Sequence, residues 1–203
     1  MKFTGPRVRL SRRLGIPLTP KAIRYMERRP YPPGEHGANQ RRSPKMSDYK
    51  RQLMEKQRLK AQYNLSERQL RNYVRKASRT TSNTETSLIR VLESRLDALV
   101  LRAGFARTIY AARQVVLHGH IRLNGRWVNI PSQRVKVKDV ISVKADSRKI
   151  QPFQQALEEM VVSPPGYLDR NKEEMTAQLV YLPEREEVPV SCTVPLVIEY
   201  YSR

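Results

Sequence analysis

Arg95, Arg102, Arg107, Arg113, Arg122 and Arg126 recur through residues 95–126, and Arg7, Arg9, Arg12, Arg13, Arg41 and Arg42 crowd the first 45. A guanidinium is a planar fork that meets phosphate in bidentate fashion and stacks on bases, so this residue type repeated at this density suits a polyanion. Other chemistries lack their parts. No Ser/His/Asp, Cys/His or glycine-rich phosphate-loop pattern is present. His36 and His120 have no cysteine or carboxylate cluster at ligand spacing, so neither a metal nor another cofactor is expected. The single cysteine, Cys192, excludes an internal disulfide and a cysteine-based zinc site, and fits a reducing compartment.

The charge map agrees. The net charge of +20 is spread as +10 over residues 1–50, +7 over 51–90 and +8 over 91–155, and it reverses to −5 over 156–203. A small acidic substrate needs a local basic pocket, whereas a phosphate backbone explains cations spread over three quarters of a chain. An anionic membrane surface is disfavoured, because no basic helix carries the Trp/Phe/Leu face of an interfacial helix and no apolar run approaches 18 residues. The basic start, Met1–Arg13, is followed by no apolar core of a secretory signal.

The elements that position these cations can be read in order. Prolines 6, 17, 20, 30, 32, 33 and 44 exclude a long helix or central strand from residues 1–45, which read as an extended basic arm ordered by a partner. Ser47 can cap a helix running to about Tyr63. Ser66-Glu67-Arg68-Gln69 is a capping box, with Leu65 and Leu70 at the staple positions. Leu70, Tyr73, Val74 and Ala77 then share one helix face, opposite Arg68, Arg71, Arg75, Lys76 and Arg79. After a polar linker at 80–87, one helix is expected from Ser87 to Ala103, stopped by Gly104. Arg95 and Arg102, seven residues apart, would lie on one side of it. Thr108 caps a further helix through His118, stopped by Gly119.

A β section follows. Ile121-Arg122-Leu123 and Trp127-Val128-Asn129-Ile130 flank Asn124-Gly125, the signature of a type I′ hairpin. Val135–Val137 and Val140–Val143 are expected to pair around Lys138-Asp139. A short helix near Pro152–Met160 and strands around Gln178–Leu182 and Val188–Val194 complete the pattern. Leu196–Tyr201 fits either a strand or a helical turn, and Glu184–Glu187 reads as a solvated acidic loop. Arg95, Arg102, Arg113, Arg122 and Arg126 would thus form one rigid cationic surface on neighbouring elements.

The run from Arg95-Leu96-Asp97-Ala98-Leu99 to Ala103-Gly104-Phe105-Ala106 resembles the opening of the S-four RNA-binding domain. Ala112-Arg113-Gln114, His118-Gly119-His120-Ile121, Asn124-Gly125 and Asn129-Ile130-Pro131-Ser132 continue the resemblance in register. Gly5-Pro6-Arg7, Ser11-Arg12-Arg13-Leu14-Gly15, Pro33-Gly34-Glu35-His36-Gly37 and Ile198-Glu199-Tyr200-Tyr201 resemble the small-subunit ribosomal proteins of the S-four family, with the flavour of the cyanobacterial or plastid branch. The resemblance implies an α+β chain: an arm (1–45), a helical domain (46–90, completed by 195–203) and an inserted S-four-type domain with antiparallel strands (91–194). It implies binding to a junction in the 5′ domain of small-subunit rRNA, a role in nucleating subunit assembly and in translational accuracy, and contact with small-subunit protein number five near the path by which messenger RNA enters. The expected RNA-binding residues, from charge and spacing, are Arg7, Arg9, Arg12, Arg13, Arg41, Arg42, Arg71, Arg75, Arg95, Arg102, Arg107, Arg113, His118, Arg122 and Arg126. The implied location is the cytoplasmic ribosome, or the plastid stroma for an organellar protein. Many family members carry four zinc-binding cysteines in the arm. This chain has none there, so RNA contacts and proline geometry are expected to organise it.

Two other classes are weaker. A pseudouridine synthase can carry the same small domain, but neither residues 1–90 nor 156–203 could hold its catalytic domain. A free RNA chaperone would not explain the long arm and the helical domain.

Overall fold

Proline placement decides what the first residues become. In the computed structural model, which describes residues 4–38, 46–80, 83–158 and 164–202, Pro6 is the N-cap of α1 (Arg7–Leu14) and Pro20 opens α2 (Pro20–Arg28). At these positions a backbone N–H has no helical partner to lose, so proline starts a helix here instead of preventing one. The expected extended arm is therefore a pair of short packed helices followed by a single 3₁₀ turn at Glu35–Gly37. Its own contacts hold it. The Arg12 guanidinium donates to the carbonyls of Tyr31 (2.9 Å) and Pro32 (3.3 Å) and lies over the Tyr31 ring. Gly37 packs so closely on the Pro32 carbonyl that a β-carbon would not fit.

The chain divides into two compact units, and the arm falls inside the first: Met1–Glu85 with Val190–Arg203, and Thr86–Pro189. In the first, α3 (Asp48–Gln62) is capped by Ser47 and α4 (Glu67–Ser78) by the complete Ser66/Gln69 box, with Leu65, Leu70, Val74 and Ala77 buried. The terminal segment left open by its sequence is helical, as α9 (Val194–Ser202), and it packs on α3. The link is polar as well as apolar. Tyr201 donates to Glu67 at 2.6 Å, Lys56 and Lys60 also reach Glu67, and the backbone N–H of Thr193 donates to Glu55.

Partial burial would raise the Glu67 carboxyl, but the hydrogen bonds from Tyr201, Lys56 and Lys60 hold it below its ordinary value of 4.5. The stabilisation tied to its charge is complete above that ordinary value and disappears as pH falls through the lowered folded value. Glu67→Gln should accordingly flatten the acid limb of stability below pH 4.5, read by urea unfolding at stepped pH. An unchanged acid limb would remove Glu67 from the acid response.

In the second unit the single helix expected over Ser87 to Ala103 is two, α5 (Thr84–Glu93) and α6 (Leu96–Arg102). Arg95 between them is extended (φ −78°, ψ 142°) and bridges Arg134 in antiparallel fashion. The segment 131–135 supplies the backbone partners that an uninterrupted helix would have used. Leu96 N–H donates to the Gln133 carbonyl, Asp97 N–H to Pro131, and Val135 N–H to Ser94. α7 (Ile109–Leu117) begins at Thr108, whose side chain accepts from Ala111 N–H, and Gly104 and Gly119 adopt the expected positive φ.

The sheet has five antiparallel strands in the order β2-β1-β3-β5-β4: β1 (Ile121–Leu123), β2 (Arg126–Trp127), β3 (Val140–Val143), β4 (Leu168–Asn171) and β5 (Thr176–Leu179). Asn124 and Gly125 are both left-handed, as a type I′ turn requires. The expected strand at 135–137 does not join the sheet, because its backbone serves the α5–α6 break. Residues 188–193 are not a strand either. β4, which sequence reading missed, enters by a turn in which Asn171 accepts from the N–H groups of Glu173 and Glu174. The short helix expected near 152–160 is α8 (Gln151–Glu158). The chain is α+β. Among the described residues no helix is long and apolar enough to cross a membrane.

Candidate nucleic-acid interface

The predicted arginines separate into two populations once burial is known. The first is internal. Arg95, with a side chain 1% exposed, sits just before α6 and donates from Nε and Nη2 to the two carboxylate oxygens of Asp97 (2.9 and 2.6 Å). Arg113, on α7 and 8% exposed, donates to the same carboxylate at 2.7 Å. The N–H of Ala98 adds a further donor to Asp97. Arg102, 16% exposed, forks onto the fully buried Glu93, which also accepts from Tyr167 at 2.8 Å. Burial and the neighbouring Glu93 push the Tyr167 hydroxyl well above its ordinary value, so it stays protonated and donates.

The expectation that Arg95, Arg102 and Arg113 form an outward cationic surface is therefore corrected. Arg95 is not on the helix face that a continuous α5–α6 would provide, and the two acids of the segment, Glu93 and Asp97, draw the guanidiniums inward. A usable signal was present. Asp97 stands two residues from Arg95 in an otherwise apolar run, Leu96 and Ala98 to Leu101, where a charged side chain that is buried must be paired.

The second population is exposed. In unit two, Arg107 precedes α7, His118 ends it, Arg122 stands on β1 and Arg126 on β2. Sequence reading missed the exposed Arg134, Lys136 and Lys138 that follow on the 131–139 segment. Residues 98–138 contain no Asp or Glu at all, a signal legible in the sequence. His120 is different from His118. Burial first, then the charges of His118 and Lys144, lower it below the ordinary histidine value, and it pairs with Ser147 at 2.9 Å. It is a structural group, and of the two His118 is the one turned to solvent.

In unit one, Arg68, Arg71, Arg75 and Arg79 form an exposed stripe along α4, opposite its buried Leu70 and Val74. Arg9 and Arg13 are exposed one turn apart on α1, whereas Arg7 is half-buried and Arg12 is engaged with Tyr31 and Pro32. Arg41 and Arg42 lie outside the described residues. Among the described residues no group of three His, Cys, Asp or Glu side chains is placed to hold a metal ion.

Exposed guanidiniums on short, well-capped elements can meet a phosphate contour at fixed spacing, which favours shape recognition of folded RNA over a flexible cationic tail. Comparison with known proteins identifies the family. Residues 2–93 match the ribosomal protein S4/S9 N-terminal domain, and residues 94–141 match the S4 domain. The small ribosomal subunit protein uS4 of Micrococcus luteus is 52% identical over 200 residues, covering 97% of this chain and 95% of that protein. The protein of the same description from Streptomyces avermitilis is 50% identical over 202 residues, covering 98% and 97%, and that from Thermobifida fusca is 48% identical over 208 residues, covering all of both.

The chain belongs to the uS4 family. Proteins of this family are structural, non-catalytic components of the ribosome, and the enzyme alternative is set aside for this chain. These uS4 relatives are bacterial, so the plastid alternative gains no support from them. The S4-domain match opens at Ser94, where α5 breaks, and it closes within β3. It therefore takes in both halves of the Arg95–Asp97–Arg113 pairing as well as the exposed hairpin.

Proposed function

We propose that this chain is a structural constituent of the small ribosomal subunit that binds its RNA at a multi-helix junction in the 5′ domain. There it helps nucleate assembly. In the finished subunit it lies near the path by which messenger RNA enters, touches small-subunit protein number five, and contributes to decoding accuracy in the cytoplasmic ribosome. The observation that supports this reading best is the exposed basic hairpin and 131–139 segment mounted on a buried arginine–aspartate network. Cations so mounted keep their spacing when they meet an A-form backbone, whose sequence is hidden in a deep major groove. The Arg68–Arg79 stripe of α4 offers phosphate contacts of the same kind.

Reconstitution of small subunits with and without the purified chain tests the proposal. Omission is expected to stall assembly at an early particle, and cross-links from the native chain should fall in the 5′ domain of the RNA. Normal assembly without it, or cross-links confined to another domain, would overturn the reading.

A further inference from the structure

Trp127, the chain's single tryptophan, is 62% exposed on β2. Its five-membered ring lies against the bare α-carbon of Gly119, so closely that a β-carbon there would collide with Nε1 and approach Cε2 and Cδ1 to 3.2 and 3.3 Å. A large apolar ring held in place by a glycine yet left facing water is not core packing. Its cross-strand partner is the exposed Arg122, and Arg126 precedes it in the chain. Beside it opens a recess of about 580 Å³, whose lining includes Trp127, Arg126, Asn129, Ile130 and Gln133. The amides of Asn129 and Gln133 each offer a donor and an acceptor, the pairing that the edge of a nucleobase presents.

Resting on the RNA-binding reading above, we infer that this recess is a subsite for one unstacked nucleotide. Its base lies on Trp127, its edge meets Asn129 or Gln133, and Arg126 or Arg122 meets its phosphate. The local charge selects the occupant, since Arg122, Arg126, Arg134, Lys136 and Lys138 are all exposed, while the acid nearby, Asp139, is engaged by the Asn124 amide and the Lys136 N–H. One isolated ring takes one base. A single-strand track would need several aromatic platforms in a row.

A lone tryptophan makes the test direct. The full chain is titrated with small-subunit rRNA transcript, with binding read by filter retention and Trp127 read by its emission and its acrylamide quenching. At saturation the emission should be strongly quenched and the ring shielded from acrylamide. W127A should bind roughly tenfold more weakly and W127F should recover most of that loss, in line with base–aromatic stacking. Retention with unchanged Trp127 emission and accessibility, or W127A binding as tightly as the native chain, overturns the inference and leaves the ring to a protein partner. Absence of retention by the native chain would instead sink the RNA-binding reading, and this subsite with it.

Discussion

Asp97→Ala is expected to cost the second unit about 3–5 kcal/mol, the penalty for leaving a buried charge without its partner. Two guanidiniums, Arg95 and Arg113, converge on this one carboxylate, and all three side chains are removed from water. The pairing ties three features together: the α5–α6 break that Arg95 occupies, the first turn of α6, and the middle of α7. Losing the carboxylate leaves Arg95 without its bidentate partner and exposes a cation–cation repulsion that Asp97 had neutralised. Domains of this size have about 5–15 kcal/mol of total stability, so a large part of the margin would go. Urea unfolding followed by the emission of Trp127, which reports on this unit alone, checks the value. A loss under about 1 kcal/mol would show that water or relaxation satisfies both arginines.

That network also marks where sequence reading stopped. Three helix starts were legible because caps are local: Ser47, Ser66 and Thr108 each accept a backbone N–H of the first turn. The Asn124-Gly125 turn was legible for the same reason, since two consecutive left-handed residues leave few alternatives. The break at Arg95 was not. It depends on carbonyls from Pro131 and Gln133, more than thirty residues away, and no local periodicity encodes that pairing. The first strand of β4–β5 was missed because Leu168–Asn171 alternates weakly and carries charge. Proline count alone predicts an extended arm, but position decides, and Pro6 and Pro20 stand where helices begin. For the candidate site, the expected outward direction holds for Arg107, Arg122 and Arg126 and fails for Arg95, Arg102 and Arg113. An arginine's spacing tells which side of an ideal helix it occupies, but a nearby buried acid decides whether it faces RNA or the core.

The same division sets the salt dependence of binding. For the native chain, log affinity against log salt should fall with a slope of several units, because each phosphate neutralised releases close to one counterion. R122A/R126A and R71A/R75A remove exposed cations from the hairpin and from α4, and each pair should lower the slope by about 2 with the fold unchanged by circular dichroism. Affinity at about 0.1 M salt should drop at least tenfold for each pair, since no buried partner is left behind to complicate the loss. R95A/R113A should behave otherwise. With both guanidiniums gone Asp97 is a buried carboxylate without its cationic partners, so the variant should lose unfolding stability, and whatever fraction remains folded should bind with the native slope. Filter binding between 50 and 200 mM salt, a range over which multi-phosphate contacts lose orders of magnitude, separates the two cases. A native slope in R122A/R126A would remove the hairpin cations from the phosphate contacts, and a reduced slope in the folded fraction of R95A/R113A would mean that RNA reaches the internal arginines after all.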